Sequence, residues 1–229
     1  MQEEQFAAAL IQHALDQGIT LPAQSVQQCL QHVSLMLEWN RRTNLTRVTD
    51  LEDILARHIL DSLLPSRWLP SAGAGADIGS GAGFPGVVIA ITRPNLAMTL
   101  IESNRKKASF LTVLKTQLRL SNLSVFHGAW EDWLRTTTGH GHPPVDCMTM
   151  RAVRLEREHL SDLAANGLRP GGVFAYWAGP AEPEADTRIQ EAWSESRVVQ
   201  MLEPIPYTLP HGKGEHRLFR WIRKPITAP

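Results

Sequence analysis

The chain has only two cysteines, Cys29 and Cys147, in 229 residues. They stand far apart, without a CxxC or Cys-His ligand spacing, which argues against a disulfide framework or a structural zinc site and fits a reducing compartment. Net charge is missing as well. The 23 lysines and arginines balance 23 aspartates and glutamates, so a polyanionic partner must be met by a local patch and not by a global field. No run approaches the roughly 20 apolar residues of a membrane span, and the MQEEQ start lacks the basic and apolar regions of an export signal. The expectation is a soluble cytoplasmic protein. What is present is 43% hydrophobic and 20% charged residues, enough for one full core with at most a small satellite.

Residues 1–70 read as helical. Phe6, Leu10 and Ala14, then Val26, Leu30, Val33 and Leu37, recur at steps of three and four. Gly18 is placed to end the first helix, and Thr20, with Pro22 just inside, to start the second. A third stripe holds Leu51, Ile54, Leu55, His58, Ile59 and Ser62 and is expected to stop before Pro65. The pattern changes at Ser71-Ala72-Gly73-Ala74-Gly75, a small-residue connection. After it, short apolar runs at 76–78, 98–101, 123–126, 145–150 and 173–177 alternate with helical patterns at 87–91, 110–118 and 155–168, the last closed by Arg169-Pro170-Gly171-Gly172. That alternation predicts a parallel sheet with helices on both faces. Residues 198–202 and 216–222 read as two strands on an antiparallel edge, joined by a long loop, and Thr136 to Pro144 as a surface loop. The expected fold is α/β: a Rossmann-like domain over 71–229 carrying an N-terminal helical subdomain over 1–70.

The segment richest in chemistry is Asp77-Ile78-Gly79-Ser80-Gly81-Ala82-Gly83-Phe84-Pro85-Gly86, between a strand and an apolar helix. Such a turn at the carboxyl end of the first strand sets a nucleoside cofactor in the crevice of an open sheet. A phosphate-cradling P-loop would end in Gly-Lys-Ser/Thr, and Phe84-Pro85-Gly86 stands there instead. Gly81-x-Gly83-x-x-Gly86 fits the dinucleotide pattern, with Glu102 about 20 residues on, so a nicotinamide-dependent oxidoreductase is one alternative. Asp77, two residues before Gly79, extends the pattern to Asp-x-Gly-x-Gly-x-Gly, which resembles motif I of S-adenosylmethionine-dependent methyltransferases. In that arrangement the carboxylate of Glu102 accepts from both ribose hydroxyls.

Arg151 closes the fourth strand, on the same carboxyl edge as Gly79 and Glu102, and suits a carboxylate or a phosphate; with Arg154 and Arg157 it also reads as a solvated face. His58 has Asp61 one turn on. It is either a packed histidine held by a nearby acceptor or part of a cluster with Asn44, Asp61 and Ser62 that shapes a base pocket; no oxyanion-hole signature makes it a catalytic triad. His140 and His142 share a loop without convergent acids and read as solvated, with no metal site expected. Basic clusters at Arg41, Arg42 and Arg47, at Arg105, Lys106 and Lys107, and at Lys213, Arg217, Arg220, Arg223 and Lys224 offer phosphate contacts or serve as exposed charge.

A family resemblance covers almost the whole chain. It rests on Trp39-Asn40 with Asn44-Leu45-Thr46, on Arg57-His58-Ile59-Leu60-Asp61-Ser62 and on the Asp77–Gly86 loop. It continues through Arg93-Pro94, Glu102-Ser103, Lys106-Lys107, Phe110-Leu111 and Arg151-Ala152. These residues resemble the bacterial small-subunit ribosomal RNA (guanine-N7)-methyltransferase G, or GidB, family. The resemblance implies S-adenosylmethionine as cofactor, contacted by Gly79 and Phe84 and, at its adenine, flanked by Ala129 and Trp130, with Arg151 reaching the site. Glu131 or Asp132 would then supply the acid expected near that adenine. It also implies methyl transfer to guanine N7 in 16S ribosomal RNA, the usual target being the guanine at position 527. The implied partner is that RNA, free, in the small subunit or in an assembly intermediate, and neither DNA nor a membrane; the enzyme is expected to be a monomer. A non-catalytic ribosomal RNA-binding or assembly factor is the other alternative. For cofactor binding the candidates are Asp77, Gly79, Gly81, Gly83, Phe84, Glu102, Ala129, Trp130 and Arg151; for substrate placement, Asn44, His58, Asp61 and Arg151.

Overall fold

The structure, a computed structural model, describes residues 2–138, 144–153, 157–180, 196–210, 212 and 214–225. Helix α1 (Glu3–Asp16) buries Phe6, Leu10 and Ala14. It ends in a Schellman turn: Gly18, at φ +72°, follows the cap, and the amides of Gly18 and Ile19 donate to Leu15 and Ala14. Helix α2 (Ala23–Thr43) begins three residues later than expected, with Pro22 outside as its cap. Its buried face is Val26, Cys29, His32, Val33 and Met36, and Asn44 closes it in the left-handed conformation (φ 47°, ψ 53°).

The third helical stretch does not stop before Pro65. It runs as α3 (Leu51–Ile54), a π turn over Leu55–Leu60 and α4 (Asp61–Ser66), with Pro65 inside. Proline offers no N–H to the carbonyl four residues back, which here belongs to Asp61. That carbonyl accepts instead from the Trp177 indole Nε1 at 2.8 Å, so a partner from the sheet replaces the missing helix bond.

Strands β1 (Gly73–Ile78), β2 (Leu96–Glu102), β3 (Leu123–His127), β4 (Val145–Arg151) and β5 (Leu168–Ala178) pair in parallel in the order β3-β2-β1-β4-β5. β1 begins inside the expected small-residue connection, because a two-faced buried strand accepts Gly and Ala where backbones and sulfurs crowd. An added Cβ at Gly75 would lie 2.4 Å from Met98 Sδ. Helices α5 (Gly86–Thr92), α6 (Arg105–Gln117), α7 (Trp130–Thr138) and α8 (Arg157–Asp162), the last followed by a π turn over Leu163–Gly167, connect the strands. Two expectations are corrected here. Residues 136–138 of the expected loop are the last turn of α7, and Leu168–Gly172 is the start of β5. The Pro-Gly-Gly stretch fits into β5 as a register irregularity, Val145 pairing Leu168 but Cys147 pairing Val173.

The carboxyl-terminal part holds three strands where two were expected. β6 (Val199–Met201), β7 (Ile205–Tyr207) and β8 (His216–Arg223) add to the sheet, β8 antiparallel to β5 and both short strands antiparallel to β8. Pro206 hid β7, since proline enters a sheet only at an edge or an irregular pairing.

Alternation along the strands divides the core. Cys147, Ala175, Trp177 and Leu218 face one layer with α1–α6, whereas Met148, Phe174, Tyr176, Phe219 and Trp221 face the other with α7 and α8. Phe6, Leu10 and Met36 share the first layer with Leu100, Phe110 and Tyr207. Residues 1–70 therefore share one core with the sheet. No helix among the described residues is long and apolar enough to cross a membrane.

Candidate active site at the carboxyl edge of the sheet

The order β2-β1-β4 reverses direction at β1, and the loop after β1 covers the resulting crevice. Gly79, Gly81 and Gly83 lie at φ 70°, 57° and 94°. At Gly83 this conformation is coupled to a close approach, since an added Cβ would fall 3.1 Å from the His32 ring. Asp77 staples the loop from below. It is buried, its Oδ2 accepts from the Gly86 amide at 3.2 Å and its Oδ1 from the Thr149 hydroxyl at 2.6 Å. Gly86 leaves no room for a side chain above it, an added Cβ lying 2.6 Å from Asp77 Oδ2. Burial lifts the Asp77 carboxyl to about 6, against the opposing pull of Thr149, Ser80 and Gly86.

Glu102 ends β2 beside the loop. Its Oε2 accepts from the Gly81 amide at 2.9 Å and its Oε1 from the Asn104 amide at 2.8 Å. Each oxygen keeps a lone pair for another donor. The Gly128 amide donates to the Glu102 carbonyl at 3.1 Å, which sets Ala129 and Trp130, the start of α7, next to Glu102 on the same edge. Trp130 packs near His159, ring centroids 5.3 Å apart. An added Cβ at Gly81 would meet only the Gly79 carbonyl oxygen, at 3.8 Å, and this room, the spare carboxylate acceptors and the strand-end crevice together fit the sugar of a nucleoside cofactor.

Phe84, at the far end of the loop, meets two histidines. His58 stacks on it at 4.7 Å and His32 at 4.4 Å, at interplanar angles of 19° and 14°. His58 Nδ1 lies 3.1 Å from the Arg57 carbonyl and 3.5 Å from Arg151 Nη2, and its Nε2 lies 3.0 Å from the Thr46 hydroxyl. Burial and the nearby Arg151 guanidinium lower His58 to about 4. It is neutral at neutral pH.

Arg151 projects from the end of β4 toward this stack. Its Nη1 donates to Asp61 Oδ2 at 2.7 Å and to the Arg57 carbonyl at 3.0 Å, and its guanidinium carbon lies 5.6 Å from the Phe84 ring centroid. Asp61 is a hub. Besides Arg151 it takes the Tyr207 hydroxyl at 2.6 Å on Oδ1, with His216 Nδ1 at 3.4 Å from the same oxygen. Burial raises its pKa, but hydrogen bonds from His216 and Tyr207 and the Arg151 charge outweigh it, leaving the carboxyl below its ordinary value. Ser62, buried, donates to the His58 carbonyl at 2.6 Å and turns away from the site. Asn44 stands apart, exposed at the end of α2, while Asn40 Oδ1 receives the Thr46 amide at 2.9 Å and orders the chain toward His58. A cavity of about 790 Å³ opens over His58, Asp61, Arg151, Trp177 and His216.

Sequence reasoning missed His32, Thr149, Tyr207 and His216. His32 was hidden in a helical stripe of apolar residues, and the others come from strands remote in sequence. The basic clusters divide. Arg105 and Lys106 are exposed on the first turn of α6, whereas Arg217 pairs with Glu215, Arg223 donates to the Leu168 carbonyl and Lys224 to the Ser196 carbonyl. Arg154, Lys213, His140 and His142 lie outside the described residues. Among the described residues no group of three potential metal ligands converges.

Residues 25–211 match the GidB family, described as rRNA small subunit methyltransferase G. The chain is 45% identical over 208 residues to ribosomal RNA small subunit methyltransferase G 1 of Syntrophobacter fumaroxidans, covering 89% of this chain and 90% of the relative. It is 37% identical to ribosomal RNA small subunit methyltransferase G of Xanthomonas oryzae, covering 83% and 88%. Two solved structures share the Rossmann-like fold. Cofactor-bound Rv0187 from MTB aligns with a TM-score of 0.63 at 18% identity, over 85% of this chain and 90% of that one. The O-methyltransferase from Bacillus cereus in complex with SAH also aligns with 0.63, at 16% identity over 97% and 100%. With the glycine loop, Glu102 and Arg151 gathered on one edge and the match extending over most of the sequence, the chain belongs to the GidB family of small-subunit ribosomal RNA methyltransferases.

Proposed function

We propose that this protein transfers the methyl group of S-adenosylmethionine to N7 of a guanine in 16S ribosomal RNA. The observation that carries the reading is the convergence, on one sheet edge, of a glycine loop with a free-handed carboxylate on one side and a cavity walled by His58, Asp61 and Arg151 on the other. When bound, the cofactor supplies an electrophilic methyl group on a sulfonium. Glu102 uses its remaining lone pairs for the ribose hydroxyls, the Gly79–Gly83 backbone lies against the methionine and ribose part, and Ala129 and Trp130 flank the adenine.

The cavity residues hold the base. Guanine N7 bears a lone pair and no proton near neutral pH, so its attack on a methyl group requires no general base. The site matches that requirement, because Arg151, Tyr207 and His216 hold Asp61 as a carboxylate whose pKa lies below its ordinary value, a poor proton acceptor. Arg151, His58 and Asp61 therefore act by positioning, and the rate gain comes from holding N7 in line with the methyl group in a water-poor pocket. Asn44, exposed at the end of α2, and the basic clusters contact the RNA strand. The protein acts as a monomer with a helical subdomain over 1–70 that supplies His58 and Asp61. A stacked guanine reaches the cavity by turning out of its helix, at about a few kcal/mol.

The experiment is methyl transfer from radiolabelled S-adenosylmethionine to small ribosomal subunits, and to naked 16S RNA, from a strain without this activity. Borohydride and aniline cleavage then maps 7-methylguanine. One cofactor-dependent cut at a guanine is expected. Incorporation without that cut would move the reaction to another atom, and binding of subunits without incorporation would leave an RNA-binding factor.

A further inference from the structure

Helix α2 is remote in sequence from the cofactor loop, yet one of its side chains is fitted to that loop at two points. His32 is fully buried. Its Nε2 lies 2.8 Å from the Ala82 carbonyl, and its ring stacks on Phe84 at 4.4 Å. A carbonyl only accepts, so Nε2 is the donor and the ring is the neutral Nε2–H tautomer. Nδ1 is then a bare acceptor, and no partner reaches it among the described residues. The ring also packs near Phe110, centroids 6.4 Å apart, which meets Trp39 at 5.6 Å. Gly83 makes the approach possible, since an added Cβ would press on both His32 and Val87.

We infer that His32 is a positioning residue for the cofactor loop, fixing the Ala82 carbonyl with its N–H and the Phe84 ring with its face so that the loop is preset for S-adenosylmethionine. This rests on the cofactor reading given above. Several features distinguish the contact from ordinary core packing. A leucine or phenylalanine would fill the same helical stripe without leaving a buried nitrogen unpaired, and His32 instead spends its one donor on the loop. The same Phe84 ring also stacks with His58 and lies near Arg151. The helix α2 thereby sets the wall between cofactor loop and base cavity from behind.

The test measures S-adenosylmethionine affinity by calorimetry, and KM and kcat separately with small subunits, for the full chain and for His32→Phe, His32→Gln and His32→Leu. Phenylalanine keeps the stack and loses the donor, glutamine keeps a donor and loses the stack, and leucine loses both. The inference expects KM for S-adenosylmethionine to rise about tenfold in His32→Phe, the equivalent of one hydrogen bond, and further in His32→Leu. His32→Gln should regain part of the loss, and kcat at saturating cofactor should stay within about twofold. Circular dichroism and the unfolding midpoint show whether each variant is folded; should His32→Leu unfold, the Phe and Gln pair still decides. Unchanged affinity in folded His32→Phe and His32→Gln, with only the midpoint lowered, would reduce His32 to core packing and overturn the inference. Failure of the unsubstituted protein to bind S-adenosylmethionine would overturn the cofactor reading and this inference with it.

Discussion

Asp77 and Asp61 are both buried carboxylates at the same edge of the sheet, and their surroundings drive them in opposite directions. Asp77 lies under the glycine loop among neutral donors, the Gly86 amide and the Thr149 hydroxyl, and burial wins, lifting it to about 6. Asp61 lies at the junction of helix and sheet, where hydrogen bonds from His216 and Tyr207 and a guanidinium at 2.7 Å hold it below its ordinary value although it too is buried. Burial alone does not decide the charge of a site; at Asp61 the hydrogen bonds from His216 and Tyr207 and the Arg151 charge together outweigh it. Under the glycine loop the edge carries a staple that tolerates neutrality. Beside the cavity it carries an ion pair that fixes Arg151.

The hardest blow to this contrast is Asp61→Ala. It leaves the Arg151 guanidinium partly buried without its carboxylate and strips the Tyr207 hydroxyl of its acceptor, so a loss of about 3–5 kcal/mol in urea unfolding is expected. A loss below about 1 kcal/mol would show that Arg151 finds another partner and that the hub is not a hub.

The pH dependence sharpens the contrast. Asp77 ionises near 6 in the fold against an ordinary 3.8, so the folded protein binds its proton more tightly. Its contribution to stability is full below the unfolded value and is lost as pH rises through the folded one. The Asp61 contribution has the opposite sign, present above its unfolded value and lost only as pH falls through its lowered folded one. Asp77→Asn should gain on the original protein by up to about 3 kcal/mol between about pH 4 and pH 7, read from paired denaturant titrations. A constant difference across that range would remove the raised carboxyl from the account.

Glu102 is the third carboxylate of the edge and the one whose oxygens remain available. Glu102→Ala should weaken S-adenosylmethionine binding about tenfold to a hundredfold, the range for hydrogen bonds to a charged group, measured by calorimetry. Smallest is Tyr207→Phe. Asp61 keeps Arg151 and His216, so about 1 kcal/mol of stability is expected to go, with cofactor affinity unchanged.

The sequence pattern was informative where chemistry and chain order coincide. Gly79 to Gly86 follow directly on β1 and Glu102 closes β2, and their place at the strand ends could be read from the alternation of strand and helix. Arg151 was legible for the same reason. Pro65 misled, because its cost in the helix is offset by Trp177 from β5, a contact that lies 116 residues away. The partners of Asp61 were illegible too: Tyr207 stands in a three-residue strand broken by Pro206, and only the antiparallel register of β7 with β8 brings it beside His216. His32 occupies an apolar helical position, where spacing says buried and nothing in the spacing says against what.

The most direct measurement is a crystal structure of this protein with S-adenosylhomocysteine. The account expects the ligand in the crevice between the Gly79–Phe84 loop and Glu102, its ribose hydroxyls on the Glu102 carboxylate and its sulfur facing the cavity bounded by His58 and Arg151. A ligand bound elsewhere, or one in the crevice that leaves Glu102 engaged only with the Gly81 and Asn104 amides, would contradict it.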